Sequence, residues 1–185
     1  MLQRLQSEIE RSIQVKHAIL ADLDLLSRIE EVTNVVVDAL TVGGRVFFGG
    51  NGGSAADAQH LAAEFVSRLA FDRPGLAAQS LATDTSILTA IGNDYGYERV
   101  FARQIQANGR RGDVFIGITT SGRSKNIIVA FEECRNVGIS AVALAGRGGD
   151  LEGTVDYVLR VPSEETARIQ ESHIMIGHII CAEVE

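Results

Sequence analysis

A short apolar run, Arg45–Phe48, breaks into the turn Gly49-Gly50-Asn51-Gly52-Gly53-Ser54, and an alanine-rich run without Gly or Pro follows over Ala55–Leu69. This stretch constrains the fold more than any other. Arg45 and the three apolar residues Val46, Phe47 and Phe48 read as a short strand, and the run after them reads as a helix that Ser54 can cap. The pattern returns downstream: Asp113–Ile118 is a buried-strand candidate, Thr119-Thr120-Ser121-Gly122-Arg123-Ser124 is a polar turn, and Lys125–Val137 is a helix stopped by Gly138. Strands that alternate with helices predict a parallel sheet covered by helices. Ligands of such sheets bind in the crevice beyond the carboxyl ends of the strands, so both turns should open onto one edge.

The remaining elements fit this frame. Residues 2–26 read as an amphipathic helix, with Leu2, Leu5, Ile9 and Ile13 at helical spacing. A second helix is predicted from Ser27 to Leu40, ended by Gly43-Gly44, and the pair packs together or on another subunit. Ala77–Leu81 reads as a strand and Asp84–Ile91 as a short helix capped by Asp84. Gly92-Asn93-Asp94 reads as a turn before a helix over Glu98–Ala107. Ser140–Leu144 and Tyr157–Val161 complete the strands, and the last helix begins at Ser163–Thr166. The 185 residues suit one domain, long enough to bury roughly 70% of the extended-chain surface without disulfides.

Composition narrows the class of function. Net charge is −7, which disfavours a nucleic-acid surface. Cys134 and Cys181 stand in no metal-ligand spacing and read as buried thiols of a reducing cytosol. Residues 1–20 hold charges in place of a signal-peptide apolar core. No apolar run approaches the ~18–20 residues of a membrane span.

Three groupings could carry chemistry. Gly50–Ala55 fits a loose G-x-G-x-x-A pattern, but no second strand ending in an acidic residue follows ~20 residues later, so a dinucleotide site is disfavoured. The 119–124 turn gathers four hydroxyls and several N–H groups at a helix N-terminus. It lacks the Gly-Lys-Ser/Thr of a nucleotide loop and suits a small phosphorylated molecule better than ATP. His60 and Glu64 lie one helical turn apart on one face, either a surface pair or a metal-ligand or acid/base pair. On the last helix, Gln170 and His178 stand two turns and about 80° apart, so both could face one site. The isoleucines around them imply a helix buried on nearly all sides. His173 is expected toward solvent or an interface, and His17 on the surface.

The ordered motifs Gly50–Glu64, Ala90-Ile91-Gly92-Asn93-Asp94, Thr119–Ser124 and Ala167-Arg168-Ile169-Gln170-Glu171 resemble those of the sedoheptulose 7-phosphate isomerases, which carry the sugar isomerase (SIS) fold. The resemblance spans essentially the whole chain. It implies a three-layer α/β/α sandwich around a five-stranded parallel sheet. Residues 1–185 would form a single SIS domain, with 1–42 as a helical extension packing in a homotetramer whose sites lie at subunit interfaces. It also implies a cytoplasmic enzyme that converts sedoheptulose 7-phosphate to D-glycero-D-manno-heptose 7-phosphate for bacterial surface glycans, including lipopolysaccharide cores.

By the same resemblance, Thr119, Thr120, Ser121 and Ser124 would hold the phosphate, while Asn51, Gly52, Gly53, Asn93 and Asp94 would hold the sugar. His60, Glu64, Gln170 and His178 would bind one Zn2+ per subunit, with Glu64 and Gln170 also facing substrate and Glu64 and His178 moving protons. Ala167 departs from the pattern, since relatives often carry an acid there. Two other readings remain: an isomerase of another ketose phosphate, and the non-catalytic replication initiator-associating branch of the fold. Relatives in that branch lack the counterparts of Glu64 and His178.

Overall fold

The computed structural model describes residues 1–185. Five strands form one wholly parallel sheet in the order β2-β1-β3-β4-β5: β1 Val46–Gly50, β2 Ala78–Ser80, β3 Val114–Thr119, β4 Ser140–Ala145 and β5 Tyr157–Arg160. Every residue of β1 and β3 is buried, which is why they read as continuous apolar runs rather than alternating ones. Strand order reverses direction between β1 and β3. Chain connectivity therefore opens a crevice at their carboxyl ends, where the 49–54 and 119–124 turns stand side by side.

Helices cover both faces. Four pack on one side: α1 Leu2–Ala21, α2 Leu23–Thr41, α3 Gly53–Val66 and α7 Thr166–Val184. The core there includes Val32, Val36, Phe48, Leu61, Phe65, Ile116, Leu144 and Ile176. On the other side α4 Thr85–Tyr95, α5 Ala102–Asn108 and α6 Lys125–Val137 enclose Phe47, Phe101, Ile105, Phe115, Ile127 and Phe131. Each fully buried Val, Ile or Phe contributes roughly 1.5–3 kcal/mol. The three-layer arrangement with two leading helices matches the expectation from sequence, as do the bounds of α6 and its left-handed stop at Gly138.

Local chemistry moves several boundaries. The first helix ends at Ala21 rather than near residue 26. Asp22 turns out of helical geometry, and its carboxylate accepts the Leu25 N–H at 3.0 Å, capping α2. Ser54 is no cap: α3 already begins at Gly53, behind Gly52 at φ +55°, and Ser54 is buried in its first turn. Gly92-Asn93-Asp94 is not a turn but the last stretch of α4, which runs on to Tyr95 and stops at Gly96. The helix expected over 98–107 divides into a 3-10 turn at Tyr97–Arg99 and α5. Asp84 does cap α4, accepting the Ile87 N–H at 2.9 Å.

No helix is long and apolar enough to cross a membrane. α1 buries little but Ile19. Ser12 and Lys16 bond Glu171 of α7, while Leu2, Leu5, Ile9 and Ile13 stand exposed in a stripe.

Candidate active site

Two neighbouring helices, α3 and α7, carry the residues expected to do the chemistry. The close approach of α7 to α3 is set by Gly177, where a Cβ would fall 2.6 Å from the Leu61 side chain. Where α7 passes α3, the Gln170 amide lies against Gly53 at the start of α3; a Cβ there would meet its Nε2 at 2.2 Å. From Gly53 to His60 and from Gln170 to His178 are similar rises, about 10–12 Å, so the two helices run side by side in the same sense. The second contact therefore comes two turns on: His60 Nε2 lies 2.8 Å from His178 Nε2, and Glu64 Oε1 lies 3.3 Å from His60 Nε2. Ligand atoms of His60, Glu64 and His178 all fall within 4.8 Å of one another.

The chemistry of this cluster is specific. Two ring nitrogens at 2.8 Å require one to donate and the other to accept, so both imidazoles cannot carry a proton there at once. Two imidazole nitrogens and a carboxylate oxygen at such spacings can hold a divalent metal, or can hand protons to a bound molecule.

Asn51 ties the glycine turn to the second turn. Its Nδ2 donates to Asn126 Oδ1 at 2.9 Å, and its Oδ1 accepts from Asn126 Nδ2 at 2.8 Å and from the Tyr97 hydroxyl at 3.0 Å. Asn126 opens α6, just past the 119–124 turn. Within that turn Thr119 Oγ1 and Ser124 Oγ sit 3.0 Å apart, and the Arg123 N–H donates to Ser121 Oγ at 3.2 Å. The hydroxyl-rich turn thus stands at the α6 N-terminus, where backbone N–H groups and the helix dipole favour an anion.

The expected residues do not all converge within the chain. His60, Glu64 and His178 meet, Gln170 meets Gly53, and Asn51 joins the two turns. Asn93 and Asp94 bond each other at 2.8 Å, exposed near the end of α4, with no side-chain hydrogen bond to either turn. His173 contradicts its expected direction. It is wholly buried, neither ring nitrogen has a partner in good hydrogen-bond geometry, and burial pushes it down to about 4, opposed in part by the nearby Ala145 backbone.

Three polar residues were missed. Asn126 and Tyr97 are far from Asn51 in sequence, and no local spacing signals their bonds. Asp57 had a signal, lying one turn before His60 on the same helix face. Its carboxyl is raised by desolvation, partly offset by His60 and His178, and its Oδ2 is buried without a partner.

The SIS domain family matches residues 10–146. A phosphoheptose isomerase of Aneurinibacillus thermoaerophilus is 61% identical over 98% of this chain and 92% of its own. One from Burkholderia pseudomallei is 53% identical over 97% and 91%. Solved phosphoheptose isomerases superpose closely: that of Francisella tularensis at TM-score 0.94 and 37% identity, covering 99% of this chain and 97% of its own, and that of Neisseria gonorrhoeae at 0.92 and 41%, covering 100% and 98%. Fold and site thus define a SIS-domain sugar-phosphate isomerase. Within that class, the chain belongs to the phosphoheptose isomerase family.

Proposed function

We propose that this enzyme converts sedoheptulose 7-phosphate to D-glycero-D-manno-heptose 7-phosphate through an enediol. The observation that carries the reading is the meeting of Glu64 and His178, from two different helices, within one cluster with His60. Ketose–aldose exchange removes a proton from C1, adds one to C2 and moves one between the two oxygens. The Glu64 carboxylate takes the C1 proton while His178 gives a proton to O2 as negative charge develops there. The enediol then loses its O1 proton to the imidazole and regains a proton at C2 from Glu64, which leaves both groups as they began.

Hydroxyls of Thr119, Thr120, Ser121 and Ser124 hold the phosphate at the α6 N-terminus. The turn Asn51–Gly53, with Gln170, Asn93 and Asp94, holds the sugar. Because Asn93 and Asp94 stand apart from both turns, a neighbouring subunit supplying them agrees with sites at interfaces of a homotetramer. The exposed apolar stripe of α1 supports that assembly, with residues 1–42 as its helical extension and 1–185 as one SIS domain.

Zinc fits the cluster. Tetrahedral bonds of ~2.0–2.2 Å place ligand atoms ~3.3–3.5 Å apart, and here the two neighbouring pairs lie at 2.8 and 3.3 Å. His60, Glu64 and His178 would hold one Zn2+ per subunit, which when bound supplies Lewis-acid polarisation of the substrate carbonyl; this chain's Gln170 lies against Gly53, two turns from the cluster, so as a fourth ligand Gln170 would come from a neighbouring subunit. The product feeds nucleotide-activated heptose for bacterial surface glycans, such as lipopolysaccharide cores, in the cytoplasm.

The test is turnover of sedoheptulose 7-phosphate against shorter ketose phosphates, with the product identified by NMR. A heptose 7-phosphate formed with the highest kcat/KM is the expected result. Preference for another ketose phosphate would reassign the substrate. No turnover, together with binding of a replication initiator protein, would replace the enzyme reading.

A further inference from the structure

The turn assigned to the phosphate is backed by a second loop, which runs from Gly146 to Asp150 after β4. The two loops meet main chain to main chain. The Gly146 N–H donates to Thr120 O at 3.3 Å. A Cβ on Gly148 would fall 2.8 Å from Ser121 O, one on Gly149 would fall 2.2 Å from Gly122 O, and one on Gly122 would fall 2.3 Å from Gly148 O. Side chains are excluded at this contact, so the path of 120–122 depends directly on where the glycine loop lies.

One side chain fixes that loop. Arg160 ends the edge strand β5, in register with Ala145. Its Nη1 donates to Gly146 O at 3.0 Å and Gly148 O at 2.9 Å, and its Nη2 to Gly149 O at 2.9 Å. The remaining donors go to Glu152, Nε to Oε1 at 2.9 Å and Nη2 to Oε2 at 2.7 Å. All five guanidinium N–H groups are engaged in one planar fork. The hydrogen bond from Arg160 is the main reason the Glu152 carboxyl sits near 2.

We infer that Arg160 is a positioning residue for the phosphate turn: by gripping the carbonyls of Gly146, Gly148 and Gly149 it presses the glycine loop against Thr120–Gly122 and so sets affinity for the substrate's phosphate. The claim rests on the 119–124 turn being the phosphate site. Lysine keeps the charge, but its three donors radiate from one atom and cannot span three carbonyls and a carboxylate. The Arg160→Lys variant therefore separates position from charge.

The experiment measures kcat, KM and the inhibition constant of inorganic phosphate for R160K, G149A, E152Q and S124A. G149A keeps Arg160 but drives a Cβ into Gly122 O from the loop side. R160K and G149A are expected to raise both KM and the phosphate constant roughly tenfold, with kcat within about threefold, because ground-state phosphate binding is what weakens. E152Q leaves the carbonyl grip in place and is expected within about twofold of the parent. S124A tests the underlying reading and is expected to raise the phosphate constant as well.

If S124A raises the constant while R160K and G149A leave it within twofold, the positioning role is overturned and the phosphate reading stands. If none of the variants moves it, the phosphate reading itself fails. A fall in kcat and melting temperature at unchanged phosphate affinity would make Arg160 merely structural. Should R160K not fold, G149A decides the question alone.

Discussion

Replacing His173 with leucine tests the burial pattern beneath the site. The imidazole is wholly buried, has no partner in good hydrogen-bond geometry, and is pushed by burial down to about 4 in the folded chain against ~6.5 when unfolded. Its folded value is depressed, so the stability it permits is complete above pH ~6.5 and is lost as pH falls toward 4, while the unfolded chain takes up a proton that the folded chain refuses. Between pH 7 and pH 5 this linkage removes about 2 kcal/mol, rising to about 3 kcal/mol below pH 4. For a domain of this size 2 kcal/mol is about 4–8 °C in melting temperature. Leucine of similar volume gives up only the ring's approach to the Ala145 backbone and is expected to cost less than about 1.5 kcal/mol at pH 7. Urea unfolding at pH 7 and pH 5, at matched protein concentration, reads the difference. The parent should lose about 2 kcal/mol more than His173→Leu over that interval. Equal losses in the two proteins would refute the buried, neutral imidazole.

Other expectations follow from single contacts. Gly177→Ala drives a methyl into Leu61, so it should cost about 1–3 kcal/mol in unfolding and, by moving α7 off α3, should weaken zinc binding measured by calorimetry. Asp22→Ala removes the cap of α2 and should lower stability by about 1 kcal/mol in a denaturant titration. Chelation followed by gel filtration should strip metal and lower turnover, with zinc restoring it. Glu64→Gln should stay inactive with zinc supplied, whereas turnover unchanged by chelation would make the metal incidental to the reaction.

Much of this architecture is legible from local patterns. Val46–Gly50 and Val114–Thr119 announce themselves because strands buried on both faces are uninterrupted apolar runs ended by glycine or hydroxyl turns. The pairing of His60 with Glu64 is local to one helix and visible as spacing. Their meeting with His178 needs α7 to lie along α3, and Gly177 gives no sign in sequence that it exists for Leu61. The Asn51–Asn126–Tyr97 bonds are long-range polar contacts of the same kind.

Errors cluster where one side chain outweighs periodicity. Asp22 stops α1 because its carboxylate caps the next helix, although the apolar spacing runs on. Gly92 sits inside α4 because the helix stops at Gly96, at φ +87°, instead. His173 lies on a helix apolar around most of its circumference, and the pattern alone does not say which polar residue faces inward.

Glu64 and His178 are proposed to form one proton-transfer pair for a sugar phosphate. Initial rates on sedoheptulose 7-phosphate for the parent, Glu64→Gln and His178→Gln, each at measured zinc content, test it most directly. Turnover by the parent and a loss of about 10²–10⁴-fold in each variant, with folding intact, is the expected result. Either variant retaining activity within tenfold of the parent would contradict it.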